Sequence, residues 1–256
     1  MADPRPSNAD YIIPMDGLHN LRAVEGYATA GGGRMRPGRL YRAGAWERIS
    51  PRDRDWFRAH VRTVLDLRHP DEVAGAASAR SGEPPDIVVY RSVFRPDVPM
   101  AEFIAELNAV RGPGITSERY LDYLKVGAAD RFARCVELLA EEAHYPVLVN
   151  CTAGKDRTGI LVAIVMDLLG VDDASIGEEY DRSNAARDGL IAYLNAIGRT
   201  LEGDLDEIRA RMATPADRIL GFLDGVRAEY GSVRSMLSRE GVADTTFDAL
   251  EQRLVA

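Results

Sequence analysis

Two cysteines, two lysines and four histidines are all that 256 residues provide of three residue types much used in covalent, phosphate and metal chemistry. Cys135 and Cys151 stand in unlike contexts, the helical-looking DRFARCVELLAEE and the glycine-flanked VLVNCTAGKDRTGILVAI. This argues against a disulfide framework and for a reducing, cytoplasmic setting. The histidines, at 19, 60, 69 and 144, show no ligand spacing, and no carboxylate cluster suggests a metal. Any catalysis is therefore expected to need no metal and no cofactor. No apolar run approaches the roughly 20 residues of a membrane span, and the opening MADPRPSNAD lacks the apolar stretch of a secretory signal; export by another route stays open.

Positive charge is in deficit as well. Against 40 acidic residues stand 32 basic ones, a formal charge of -8. Such a chain lacks the broad basic face that releases counterions from a phosphate backbone, so nucleic acid is not an expected partner. An anionic substrate has to be met by a local positive site. The only lysines are Lys125 and Lys155, beside 30 arginines; a lysine kept in such company marks a position where arginine does not serve.

What is present is enough apolar sequence, 46%, for one sizeable core. A single domain over 1–256 is expected, with residues 1–14 outside its ordered body. Strands are predicted at VRTVLDLR (61–68), IVVYRSVF (87–94) and PVLVNC (146–151), rich in valine and bounded by Pro or Gly. After residue 150 the sequence reads as helices. RTGILVAIVMDLLG is apolar nearly all round and should end on Gly170, and ATPADRILGFLDGVRAEYG should start with Thr214 as N-cap and end on Gly231. GVADTTFDALEQRLV places Phe247, Leu250 and Leu254 on one docking face. GYATAGGGRMRPGRLY reads as a glycine-rich hairpin or loop ahead of the sheet. Early strands each followed by helical sequence imply an α/β fold, a mainly parallel sheet flanked by helices. Residues 95–128, broken by Pro99, Gly112, Pro113 and Gly114, form two amphipathic pieces that read either as a helical lid or as an ordinary insertion packed on the sheet.

Cys151 lies where a strand passes through a short loop into a helix. Such a loop presents backbone N–H groups lacking intrahelical partners, beside the positive end of the helix dipole, and so cradles an anion. Here the cradle is Thr152, Ala153, Gly154, Lys155, Asp156, Arg157 and Thr158, with the helix starting near Arg157 or Thr158 and Gly154 and Gly159 allowing tight curvature or close packing. A cysteine at that position is expected largely as thiolate, a nucleophile. Arg157, six positions on, can fold its planar fork over a bound tetrahedral oxyanion. The arrangement suits phosphoryl transfer to sulfur. Cys135 has none of these surroundings and reads as core.

CTAGKDRTG resembles the Cys-x5-Arg-Ser/Thr loop of the cysteine-dependent phosphatases, and in detail their atypical bacterial tyrosine and phosphoinositide phosphatase branch. HNLRAVEGYATAGGGRMRPGRLYRAG (19–44), TVLDLRHPDE (63–72) and YGSVRSML are similar to other blocks of that branch, so the resemblance spans about 15–255. It implies the tyrosine-phosphatase fold, a phosphocysteine intermediate, and phosphorylated protein or phosphoinositide as substrate, the latter bringing transient contact with a membrane surface. One departure is Asn150, where the branch usually has a histidine that supports the loop and the thiolate. An amide keeps a hydrogen bond but carries no charge, so weaker support for the thiolate is expected, without loss of function.

Two aspartates compete for the acid–base role. The resemblance assigns it to Asp156, with an acidic pH optimum as corollary, although Lys155 and Arg157 beside it favour its ionised form. Asp66 is the alternative, because strand ends on one edge of a parallel sheet converge on the ligand crevice. Lys155 reads as a mobile rim cation for polyanionic substrates, as the resemblance also suggests, or as a charge offsetting Asp156. Thr158 can donate to the departing thiolate or serve only the helix start. Arg68, Asn184 and Arg187 read as structural polar residues. Three functions follow in order: a phosphatase for phosphotyrosine, with phosphoserine or phosphothreonine beside it, and phosphoinositides; a catalytically weak phospho-binding relative; and a sulfur- or arsenate-handling enzyme.

Overall fold

The computed structural model describes residues 11–75, 87–91, 96–111, 114–196, 198 and 201–256. Among them, strands β1 (Arg22–Ala23), β2 (Leu40–Ala43), β3 (Thr63–Asp66), β4 (Val88–Arg91) and β5 (Val147–Asn150) form one sheet in the order β1-β2-β5-β3-β4. Only β1 against β2 is antiparallel; β2–β5, β5–β3 and β3–β4 are parallel. The three predicted strands are β3, β4 and β5, with residues 92–94 outside the described residues. The stretch expected as a hairpin or loop differs. Its tail enters the sheet as β2, directly beside the central strand.

The reason β2 escapes notice is Arg42. A four-residue strand carrying an arginine does not read as buried, yet Arg42 is fully enclosed, because a carboxylate from another element meets it. β5 is buried along its whole length, as a strand covered on both faces must be. Its residues alternate. Val147 and Val149 join the large helical cluster, while Leu148 packs with Val64, Tyr41, Trp46 and Phe57 on the other face. Asn150 therefore shares the face of Leu148, and Cys151 belongs to the large cluster.

Helices follow in the order α1 (Pro51–His60), α2 (Pro70–Gly75), α3 (Met100–Arg111), α4 (Ser117–Tyr123), α5 (Ala129–Leu139), α6 (Asp156–Leu168), α7 (Asp173–Asp181), α8 (Arg187–Ala196), α9 (Leu205–Arg211), α10 (Ala216–Tyr230), α11 (Val233–Arg239) and α12 (Asp244–Leu254). The α6 residues Thr158 to Met166 are all buried, and Gly170 past its end has φ +70°, as expected of a helix closed by glycine in the core. The N-cap of α10 is Pro215, not Thr214; the Thr214 backbone N–H is instead taken by Asn184 Oδ1. Phe247, Leu250 and Leu254 are buried and hold α12 against α5. Burying three such side chains contributes on the order of 5–9 kcal/mol before entropy is counted.

The insertion over 95–128 contains α3 and α4, residues 95, 112 and 113 lying outside the described residues. Phe103, Leu107 and Tyr120 join the large core cluster. It is a packed part of the domain, and its Phe103 and Tyr123 stand beside Asp156 and Arg157. Val126 and Gly127, the latter at φ +97°, make the kink that turns α4 into α5.

Candidate active site

At the end of β5 the chain leaves the sheet between Ala43 on β2 and Asp66 on β3, both in register with Asn150. The loop that follows has its carbonyls tied down one by one. Thr152 O accepts from Ala45 N–H at 3.0 Å and Lys155 O from Gly159 N–H at 2.8 Å. Asn20 Nδ2 donates to Ala153 O (3.2 Å) and Gly154 O (2.9 Å), and Arg42 Nη2 to Gly154 O at 2.6 Å. In a planar trans peptide the N–H lies opposite the C=O. Fixing the carbonyls of 152 to 155 outward thus turns the N–H groups of 153 to 156 the other way.

Those of Arg157 and Thr158 extend the series. The first helical bond of α6 is Gly159 N–H to Lys155 O, so the N–H groups of 156–158 precede it, and no side chain caps this helix start. A row of donors at the positive end of a buried helix is suited to receive an anion. The helix begins at Asp156, a residue or two earlier than expected.

The brace behind the loop is a buried charge cluster. Glu179 on α7 accepts from Arg22 Nε at 2.7 Å and from Arg42 Nη1 at 2.5 Å. Arg22 also reaches Asn20 Oδ1 and Ser183, so the residue gripping the loop is itself gripped. Burial would raise the Glu179 carboxyl, but the two guanidiniums hold it below its ordinary value. Burial, with the Arg42 charge, lowers Arg22 to about 10. Glycine is required at 154: its φ is +63°, and a Cβ there would stand 2.3 Å from Ala43 O. At 159 a Cβ would meet the Tyr180 ring at 2.8 Å.

Arg157 turns inward to Glu72 of α2, Nη1 to Oε2 at 2.5 Å and Nη2 to Oε1 at 2.7 Å, and Nη1 also donates to Leu67 O at 3.2 Å. Of the five guanidinium donors, the adjacent Nε–H and second Nη2–H stay unclaimed by any described residue. They form a second fork, the shape that two oxygens of a phosphate require. Glu72 is further fixed by Thr152 Oγ1 at 2.6 Å and His69 N–H at 2.9 Å. Burial pushes its carboxyl up, but Arg157 and these hydrogen bonds outweigh that and bring it to about 2.

Asp156 lines a pocket of about 80 Å³ with Arg157, His69, Met100, Phe103, Ile104 and Tyr123. Cys151 is not in that lining; it is 2% exposed, within electrostatic reach of Arg157 and Tyr123. Burial and the Asp156 charge push Tyr123 up to about 12. Asp156 Oδ1 accepts from Tyr120 on α4, whose hydroxyl also meets that of Tyr180 on α7 at 2.6 Å.

Two expectations need correction. Lys155 is no mobile rim cation: it is 7% exposed, donates to Met212 O at 3.2 Å and lies 3.8 Å from Asp156 Oδ2. It offsets Asp156, with its ammonium held against the backbone that follows α9. Asp66 does not line the pocket. It is fully buried, with both oxygens on Arg68 (Nε to Oδ1 2.8 Å, Nη2 to Oδ2 2.6 Å), and Arg68 in turn pairs with Glu47. Asn150 Nδ2 joins this network at 3.3 Å from Asp66 Oδ1, on the sheet face away from Cys151. Thr158 Oγ1 is buried with no hydrogen-bond partner among the described residues.

The sequence profile of the tyrosine phosphatase family matches residues 13–256. The chain belongs to that family. Triple specificity protein phosphatase PtpB of Mycobacterium tuberculosis is 28% identical over 93% of this chain and 97% of its own. A tyrosine-protein phosphatase of Nostoc commune is 25% identical over 81% of this chain and 71% of its own. Among solved structures, P. aeruginosa TpbA overlaps 73% of this chain and 96% of its own, at 20% identity and a TM-score of 0.32.

In this phosphatase Asp156 and Arg157 of the 151–158 loop line the pocket, Cys151 is buried outside that lining, and Lys155 turns toward Met212. The braces were missed. Glu72 lies in the quoted HPDE block without having been singled out, Asn20 and Arg42 lie in the N-terminal block, Tyr120 lies in the stretch read as a lid or packed insertion, and Glu179 and Tyr180 lie in sequence read as helix. One signal was available: an Asn-x-Arg pair and an arginine inside an apolar LYRA are costly residues to bury unless something charged receives them.

Proposed function

We propose that this phosphatase hydrolyses phosphate monoesters through a phosphocysteine on Cys151, with phosphotyrosine as the first substrate class, phosphoserine or phosphothreonine beside it, and phosphoinositides as the second. The observation that carries this reading is the loop itself: N–H groups of 153–158 on one side, the thiol at its start, and the free fork of Arg157 at its end. The Cys151 thiolate attacks phosphorus, the P–O ester bond breaks, and Asp156 gives its proton to the departing oxygen. Backbone donors and Arg157 carry the equatorial charge. Asp156, now a carboxylate, takes a proton from water as that water attacks phosphorus. Inorganic phosphate leaves and the thiolate is restored, with the Thr158 hydroxyl, unpartnered among the described residues, as its donor.

Phe103 and Tyr123 along the pocket support an aryl ester, since aromatic walls accept a phenyl ring. Phosphoinositides rest on weaker support, because Lys155 is turned away from the rim; such substrates would bring the enzyme to a membrane surface. The test is turnover of p-nitrophenyl phosphate in the presence of a chelator, with acid-quenched trapping of labelled phosphate on the protein. Cys151→Ser abolishes both signals. Turnover surviving in Cys151→Ser overturns the mechanism, and binding without turnover in the native protein makes it a phospho-binding relative. Phosphotyrosine peptide, phosphoserine peptide and phosphoinositide head groups then rank the substrates.

A further inference from the structure

Among the described residues one hydroxyl donates a hydrogen bond to the Asp156 carboxyl, at Oδ1, while Lys155 Nζ stands 3.8 Å from Oδ2, beyond hydrogen-bond distance. Tyr120, 0% exposed, donates to Asp156 Oδ1 and shares a 2.6 Å contact with the Tyr180 hydroxyl. A carboxylate accepts only, so the single proton of Tyr120 goes to Asp156 and Tyr120 oxygen must accept from Tyr180. Tyr180 oxygen in turn faces the guanidinium of Arg218, which is itself anchored to Ala213 O at 2.6 Å. With Asp156 ionised, the order of donation is Arg218, Tyr180, Tyr120, Asp156. Burial, then the Asp156 charge, holds the Tyr120 hydroxyl well above its ordinary value, so it stays protonated as that order needs.

We infer that Tyr120 is a positioning residue for the leaving-group proton: by occupying Oδ1 of Asp156 it makes Oδ2 the oxygen that carries the proton, and it fixes that oxygen's direction. The inference rests on Asp156 as general acid in the function proposed above. It also gives the insertion a chemical task, because Tyr120 stands on α4, whose Tyr123 lines the pocket beside Asp156. Chained hydrogen bonds polarise one another, so Tyr180 and Arg218 strengthen the last donation.

The variant is Tyr120→Phe, which keeps the buried ring. The readout is kcat/KM, which covers the steps up to phosphocysteine formation, on two aryl esters. A nitrophenolate leaves with little need of a proton; a phenolate, as basic as tyrosine at about 10, needs one. The expected result is a loss of about tenfold on phenyl phosphate but no more than about threefold on p-nitrophenyl phosphate. In an Asp156→Asn background the same change should cost nothing further, since it acts through the lost carboxyl. Equal losses on both esters, no loss on phenyl phosphate, or full additivity with Asp156→Asn overturns the inference. If Tyr120→Phe does not fold, Tyr180→Phe carries the same comparison, with a smaller loss in the same direction. Activity surviving in Cys151→Ser would instead sink the mechanism, a separate result from these.

Discussion

Arg157 and Glu72 meet end to end, with both terminal guanidinium nitrogens on both carboxylate oxygens at 2.5 and 2.7 Å. The pair sets which side of Arg157 remains for substrate: Glu72 takes the terminal fork and leaves the Nε side without a partner among the described residues. Glu72→Gln keeps the shape and removes the charge. Breaking a buried pair from one side costs on the order of 3 kcal/mol. The variant should therefore melt at lower temperature and lose about 10- to 100-fold in kcat/KM, seen chiefly as a raised KM. Unchanged kinetics with an unchanged melting temperature would show that Arg157 needs no partner.

The same carboxylate predicts a direction for acid stability. Its folded value of about 2 lies below the ordinary 4.5. A depressed acid stabilises the fold where it is ionised in both states, above about 4.5, and that contribution is lost as pH falls toward 2. The amount is on the order of 3 kcal/mol. Urea midpoints of the native protein should fall steeply between about pH 5 and pH 2, more steeply than those of Glu72→Gln. Parallel curves for the two proteins would remove Glu72 from the account.

Gly154→Ala should be among the most damaging single-methyl changes in the chain. The new Cβ would lie 2.3 Å from Ala43 O and 2.4 Å from Ala43 C, in a backbone at φ +63°. Relief requires moving the loop off β2, which releases the carbonyls held by Asn20 and Arg42. The expectation is a loss of activity beyond about 100-fold together with reduced phosphate binding, because the donor row itself is displaced. Isothermal titration with inorganic phosphate or vanadate reads the second effect directly.

Asp66→Asn and Asp156→Asn should part company. Asp66 neutralises Arg68 inside the sheet edge, so its loss should lower stability while turnover per folded molecule keeps its dependence on leaving-group basicity. Asp156→Asn, which removes a carboxylate 3.8 Å from Lys155 rather than one bidentate on a guanidinium, should lower the melting temperature less and slow aryl esters with basic leaving groups by about 100-fold or more. The reverse pattern would transfer the acid role to Asp66.

Much of the site was open to reading along the chain because its parts are consecutive. The apolar run Val147–Val149, the cysteine, the two glycines and Arg157 act through backbone geometry and short sequence distance, and both leave marks in order. The helix ended by Gly170 and the apolar face of α12 were legible for the same reason, since local periodicity encodes them. β2 was not legible, because a strand of four residues bearing Arg42 is stable only once Glu179, 137 positions away, has arrived. Lys155 was misread because sequence gives a charge but not the direction of its side chain.

By itself the sequence determined that a thiol would sit at the end of a buried strand, ahead of an uncapped helix with an arginine in its first turn, since each of these is a property of neighbouring residues. Only the tertiary structure decided that Glu72 would hold that arginine, that Asn20 and Arg42 would pull the loop carbonyls outward, and that Tyr120 would meet Asp156. Those partners come from elements far apart in the chain, and a charge or hydroxyl finds its counterpart only where folding has already excluded the water that would otherwise satisfy it.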